Sequence, residues 1–280
     1  MTGEHSDEIP ALDQTALTDA IVRPGGLWRS VEVVPEAGST NTDLAIRSKD
    51  GAPEGTVLVT EHQTAGKGRL GRGFTTPERV ALTFSLLVRP SVPSERLGWV
   101  SPLMGVAAVA AVREVSGVPA ALKWPNDVLV PGEERDGKLA GILAEADFSD
   151  PDRVGVVVGM GLNVSQRRDD LPVETATSLR AEGTARVGRD ELLRAVLAAF
   201  EERYVAWTAA SGDAEAGGLA DEYRRVCVTL GRRVRVHLPG DRLLEGTAAR
   251  VDAQARLVVA GPTGEKALNV GDVVHVRPGG

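Results

Sequence analysis

Residues 63–74 read QTAGKGRLGRGF. Three glycines, Gly66, Gly68 and Gly71, are interleaved there with three cations, Lys67, Arg69 and Arg72. Glycine between cations lets the backbone approach an anion while the side chains close over it. The arginine guanidinium is a planar donor fork that matches phosphate and carboxylate. Like charges make such a segment repel itself when empty, and a bound anion orders it. The chemistry it suits is therefore closure over a phosphate. A solvent-facing turn has the same composition, so context has to separate the two.

The glycines also match G-x-G-x-x-G, the dinucleotide-binding turn, which requires a strand before, a helix after and an acidic residue about twenty positions on. The preceding strand, GTVLVTEH, is there. FTTPERV and a second apolar strand follow in place of the helix, and Leu86 stands where the acid should be. The P-loop pattern fails as well, because Arg72 and Gly73 follow Gly71 where Lys and Ser or Thr are needed.

Other residues invite chemical roles. Lys123, in ALKWPNDVLV, meets an anion if it faces inward and solvent if it faces outward, and strand alternation allows both. Asp127 is placed to pair with a lysine, to help hold a metal, or to satisfy turn amides. Ser39, Thr40 and Asn41 form a helix-capping trio that also offers short donors and acceptors. Gln63 stands at a strand end beside the glycine segment. In GMGLNV, Gly159 and Gly161 allow close approach and Asn163 can hydrogen-bond a base. Ser39 and His62 suit a hydrolase in residue type, but there is no G-x-S-x-G elbow.

Strands and helices must position these groups. Residues 1–12 read as disordered, and Asp13 as the cap of a short helix, DQTALTDAIV. WRSVEVVPEAG, GTVLVTEH, VALTFSLLV, ALKW, DVLV, GKLAGILAEA and VGVVVGMGLNV read as strands. A short helix starts at Thr40, and a buried alanine-rich one covers GWVSPLMGVAAVAAVREVSG. RDELLRAVLAAFEERYVAWTAA is amphipathic, with Leu192, Leu193, Val196, Leu197, Phe200, Tyr204 and Trp207 on one stripe. GLADEYRRV is a further helix. Past Cys227, four or five short β runs separated by Gly, Pro and Asp turns suggest a small barrel. The fold class expected is α+β, a mixed β-sheet with packed helices followed by a small β-barrel. The boundaries are 1–27 for a tail and short helix, 28–225 for the main domain and 226–280 for the barrel.

Composition narrows the function classes. The chain has 280 residues, 42% hydrophobic, with a net charge of -7, which speaks against a protein that mainly coats nucleic acid. A single cysteine, Cys227, excludes an intramolecular disulfide, and the four histidines lack zinc spacing. The start, MTGEHSDEIP, lacks the features of a secretory signal, and the apolar run Pro102–Val112 is too short to span a bilayer. A soluble cytoplasmic protein is expected.

Taken in order, GSTN (38–41), EHQTAGKGRLGR (61–72), KWPNDV (123–128), GKLAGILAE (137–145) and GMGLNV (159–164) resemble the biotin protein ligases. The resemblance covers roughly residues 28–277. The family loop usually reads GRGRxGR, and here Lys67 replaces the first arginine, which keeps the charge and loses the bidentate fork. About 28 residues precede the core, so the short form without an N-terminal DNA-binding domain, and no DNA partner, is expected.

The resemblance implies a class II synthetase-like catalytic domain and an SH3-like barrel. It implies activation of biotin by ATP as biotinyl-5'-AMP, then transfer to a lysine of a biotin carrier domain of an acyl-CoA carboxylase. Mg2+ would accompany ATP. By analogy, Ser39, Thr40, Asn41, Gln63, Lys67, Gly68, Arg69 and Lys123 form the biotin site. Arg69, Arg72, Lys123, Asn126 and Asn163 meet the nucleotide. Lys67, Arg69 and Lys123 are the catalytic cations, placed between two repelling anions. No residue is assigned as a metal ligand, Asp127 being the one candidate. A lipoate-type ligase and a non-catalytic biotin sensor are the alternatives, and monomer and homodimer both remain open.

Overall fold

Among the described residues of the computed structural model (9–71, 73–74, 77–150, 153–184, 187–240, 242–262, 264–269 and 271–276), the expected elements form in the expected order. First come α1 (Gln14–Ile21), β1 (Ser30–Ala37), α2 (Thr40–Lys49) and β2 (Thr56–Gln63). The glycine segment holds a small hairpin of β3 (Gly66–Lys67) and β4 (Gly73–Phe74), with a 3-10 turn at Arg69–Gly71. Next are β5 (Ala81–Val88), α3 (Val100–Ser116), β6 (Ala121–Lys123), β7 (Asp127–Val130), β8 (Gly137–Asp147) and β9 (Gly155–Asn163). The helices α4 (Arg189–Ala209) and α5 (Leu219–Val226) lead to β10 (Arg233–Leu238), β11 (Arg242–Val251), β12 (Leu257–Gly261), β13 (Gly264–Leu268) and β14 (Asp272–His275).

The class is α+β. Seven strands form one mixed sheet in the order β1-β2-β5-β9-β8-β7-β6, with β1 and β2 parallel and the other neighbours antiparallel. Side-chain alternation divides its faces. Val57 and Val59, Leu82, Phe84 and Leu86, and Val158, Met160 and Leu162 point into the large core with α1, α3, α4 and α5. Leu58, Leu87 and Val157 point the other way and pack under Leu44 of α2. On that second face the central strands also present Thr83, Ser85, Gly159 and Gly161, a polar, glycine-bearing surface that α2 packs against. Asp13 caps α1 and Ser39 caps α2, each accepting from the amide three residues on.

Two expectations need correction. Residues 9–12 are ordered: the Leu12 amide donates to Glu61 Oε1 (2.6 Å), and the Pro10 carbonyl accepts from Arg189 (2.8 Å). Composition cannot register a distant buried charge that needs those backbone groups. The rest of the expected disordered tail, residues 1–8, lies outside the described residues, and α1 packs Leu17 and Ile21 into the main core. Second, Ser94–Ser116 is long and apolar enough to cross a membrane, although Pro102–Val112 alone is not. It is mostly buried against α4 and the sheet, as the central helix of a large core.

The C-terminal strands form a five-stranded antiparallel sheet, β13-β12-β11-β10-β14, which fits the SH3-like domain expected. Among the described residues no ladder joins β13 to β14. This sheet is tied to the larger one. Cys227 bridges to Leu122, the Trp124 amide donates to Thr229 Oγ1 (3.0 Å), and Trp99 Nε1 donates to Ala253 O (3.0 Å).

Candidate active site

A cleft of about 480 Å3 opens on the second face of the seven-stranded sheet, under the β3–β4 hairpin and against the C-terminal sheet. That is the size of a small-molecule site. Its inner end is neutral and hydrogen-bonded. Gln63 Oε1 accepts from the Thr40 amide (3.0 Å), which ties the N-terminus of α2 to the end of β2. The Ser85 hydroxyl donates to Asn41 Oδ1 (2.6 Å) and shares a hydrogen bond with the Thr40 hydroxyl (2.7 Å). Asn41 Nδ2 donates to Leu143 O (3.1 Å) and Glu145 Oε2 (2.8 Å). The capping trio thus divides its work, Ser39 capping α2 while Thr40 and Asn41 engage the sheet.

Both glycines of GMGLNV admit protein groups. A Cβ on Gly159 would lie 2.1 Å from Asn41 Oδ1, and one on Gly161 would lie 2.3 Å from the Phe74 ring. The absent side chains let α2 and the hairpin settle onto β9, bringing both over the cleft.

Four cations and two carboxylates, Asp127 and Asp272, also line the cleft. The cations are Lys67, Arg69, Lys123 and Lys138. Lys67 is exposed and donates to Thr42 Oγ1 (3.1 Å). Burial of the Arg69 guanidinium pulls its pKa below the ordinary arginine value, and the Asp272 and Asp127 carboxylates oppose that shift. Lys123 ends β6, partly buried, and faces the cleft. Asp127 binds Lys138 at 2.6 Å, which places it in an ion pair. Four cations against two carboxylates leave the cleft lining with an excess of positive charge, which a bound polyanion would neutralise.

Of the residues singled out from sequence, Ser39, Thr40, Asn41, Gln63, Lys67, Gly68, Arg69, Lys123, Asn126 and Asp127 are brought together here. Asn126 Nδ2 is bonded to Ile142 O (2.8 Å), which holds the β6–β7 turn against β8. Asn163 stands apart. It shares the β9 face of Gly159 and Gly161 but sits at the strand end, where Nδ2 donates to Thr177 O (2.9 Å) and Oδ1 accepts from Gln166 (2.9 Å). It does not line the cleft in this structure. Arg72 lies outside the described residues.

Sequence reasoning missed Lys138, Phe74 and Asp272. Lys138 carried a signal, as a lone cation in the apolar strand GKLAGILAE. Asp272 carried none, because it reaches the cleft from a strand two hundred residues beyond Arg69 in the chain.

With this geometry in view, comparisons with known proteins are specific. Residues 34–163 match the model of the biotin/lipoate A/B protein ligase family, and residues 229–276 match the biotin protein ligase C terminal domain. The chain is 41% identical over 273 residues to the biotin--[acetyl-CoA-carboxylase] ligase of Mycobacterium tuberculosis, covering 96% of this chain and 97% of that protein. It is 28% identical to the enzyme of the same name from Paracoccus denitrificans, covering 84% and 96% of the two chains. Among solved structures, the Aquifex aeolicus biotin protein ligase in complex with biotin and ATP superposes with a TM-score of 0.72 at 27% identity, covering 89% of this chain and all of that one.

Proposed function

The chain belongs to the biotin/lipoate A/B protein ligase family, and from that premise we propose that it is an ATP-dependent biotin protein ligase acting on a carrier domain of an acyl-CoA carboxylase. One observation carries the assignment to this cleft: neutral hydrogen-bonding side chains and four cations line one cavity under a glycine-rich hairpin. Biotin offers groups for both, a ureido ring joined by an apolar chain to a carboxylate.

In the first step a biotin carboxylate oxygen attacks the α-phosphorus of ATP. The bond to the bridging oxygen breaks, and pyrophosphate leaves with its electron pair. The reacting groups are both anionic, so the barrier is largely electrostatic. Arg69, Lys123 and Lys138, with Lys67 at the rim, lower it by fixed positive charge. Thr40, Asn41 and Gln63, with Ser39 at the helix start, orient the ureido ring. Trp124, Ile142 and Leu143 flank the chain. In the second step the neutral amine of the carrier lysine attacks the acyl carbon, the anhydride C–O bond breaks, AMP leaves and the amine loses a proton. The mixed anhydride hydrolyses readily in water, and the hairpin with Gly68 and Arg69 shields it.

Arg72 and Asn126 are assigned to the nucleotide, and Asn163 joins them only if its amide is released from Thr177 and Gln166. Mg2+ enters on the nucleotide, held by phosphate oxygens and water: Asp127 is engaged by Lys138, and the described residues contain no group of three or more metal-ligating side chains. Residues 28–225 are taken as the catalytic domain and 226–280 as the C-terminal domain, which supplies Asp272 to the cleft. A cytoplasmic location, a monomer or homodimer, and no DNA partner complete the reading.

The test is pyrophosphate release and carrier labelling with ATP and either biotin or lipoate. Biotin-dependent turnover is expected. Lipoate-dependent turnover alone would replace this reading by the lipoate one, and binding of biotin without pyrophosphate release by the sensor one.

A further inference from the structure

On the face of the sheet opposite the cleft, Glu61 and Arg189 form a buried ion pair. Arg189 Nη1 lies 2.5 Å from Glu61 Oε2, and the side chains are 3% and 6% exposed. Three backbone groups complete it. The Leu12 amide donates to Glu61 Oε1 (2.6 Å), Arg189 Nη2 donates to Pro10 O (2.8 Å), and Arg189 Nη1 approaches Ala81 O (3.5 Å). The pair therefore joins β2, the start of β5, the first residue of α4 and the 10–12 segment.

Its position in the chain is specific. The glycine-rich segment leaves the sheet just after Gln63 and returns at Ala81, where β5 begins. Glu61 lies two residues before the exit, and its own carbonyl accepts from the Arg79 amide at the return (2.9 Å). Arg189 approaches the carbonyl of Ala81, the first residue after the return. Both roots of the hairpin-bearing segment are thus fastened to one pair of charges.

A buried ion pair contributes little net stability, because desolvation offsets its attraction, and apolar replacements of similar volume are often neutral or better. What it supplies is geometry: a charge-assisted fork fixes distance and direction together. We propose that Glu61 and Arg189, covered by residues 10–12, are positioning residues of the ligase reaction. They hold both roots of segment 64–80 so that the hairpin closes in register over the acyl-adenylate. This rests on the biotin-ligase reading.

Two full-chain variants test it. The double variant Glu61→Leu/Arg189→Met replaces the pair by apolar groups. Arg189→Lys keeps the charge but loses the fork that reaches Pro10 and Ala81. Each is loaded with tritiated biotin and ATP, and release of the labelled adenylate is followed after a chase with unlabelled biotin. Both variants are expected to release adenylate roughly 10- to 100-fold faster than wild type, the scale on which distant misplacement acts. Amide exchange in segment 64–80 should rise in parallel, and because the double variant leaves the Leu12 amide and the Pro10 carbonyl without these partners, release is compared at a temperature well below its own Tm. Wild-type release by Arg189→Lys overturns the proposal, as does wild-type release by a folded double variant. If the double variant does not fold, Arg189→Lys decides alone. If the wild-type chain forms no adenylate, the biotin-ligase reading fails instead, and faster exchange of segment 64–80 in Arg189→Lys still reports whether the pair holds it.

Discussion

Gly66 is the position where the smallest perturbation should do the most to the site. It pairs with Phe74 in the hairpin, and an added Cβ would lie 2.0 Å from Phe74 O and 2.2 Å from Gln63 Nε2. Real Cβ atoms do not come within 3.0 Å, so the carbonyl must retreat by at least 1.0 Å, the difference between those distances. A backbone carbonyl in a two-residue strand cannot do so without opening the ladder. One lost hydrogen bond costs about 0.5–1.5 kcal/mol, and overpacking about 1–3 kcal/mol. The sum, about 1.5–4.5 kcal/mol, corresponds to roughly 10- to 2000-fold in the closed-loop equilibrium. The hairpin lies outside the main core, so Tm should barely move. Gly73→Ala is the matched control: it lies in the same hairpin, opposite Lys67, with no atom of the described residues within 4 Å of its added Cβ. Calorimetric titration with biotin, then with biotin and a non-hydrolysable ATP analogue, measures both variants. The reasoning is refuted if Gly66→Ala binds within about threefold of wild type, or if Gly73→Ala loses as much, given that surface changes elsewhere stay within about 0.5 kcal/mol.

Arg69→Ala should abolish retention of the adenylate, read as free biotinyl-AMP appearing in solution before transfer to the carrier. Lys138→Met should slow pyrophosphate release by roughly 100- to 1000-fold with biotin affinity little changed, and equal losses in both would argue against a charge-stabilising role. His275 provides a pH test. Burial, with Lys123 and Arg232 nearby, holds its pKa below the ordinary 6.5, opposed by Asp136. Below pH 6.5 the unfolded imidazole binds a proton that the folded one resists, so stability falls as pH drops from that value through the folded pKa. Tm should decline over that range in wild type and decline less in His275→Gln, and parallel curves would count against the assignment.

Much of the site was legible because its motifs are local. GSTN marks a helix start, and a capped helix start must present its first side chains beside the preceding strand. LTFSLL alternates, so Thr83 and Ser85 had to face away from Leu82, Phe84 and Leu86. The illegible part is made of partners far apart in the chain. Nothing near Asn163 shows that Thr177 and Gln166 will occupy its amide. Nothing in GMGLNV shows that its glycines make room for Asn41 and Phe74. Residues 9–12 read as tail because their partners are Glu61 and Arg189.

By itself the sequence determined the element order, the α+β class, the resemblance to biotin protein ligases and many of the polar and charged residues that line the cleft. Element order and class follow from period, capping and turn chemistry within a few residues, and the resemblance rests on five motifs matched in order. Only the tertiary structure decided that Lys138 joins the cations, that Asp272 approaches Arg69 from the C-terminal sheet, and that one buried ion pair fastens both roots of the glycine segment. Burial and charge pairing depend on which distant groups the fold brings within a few ångströms, and that distance is a property of the packed chain.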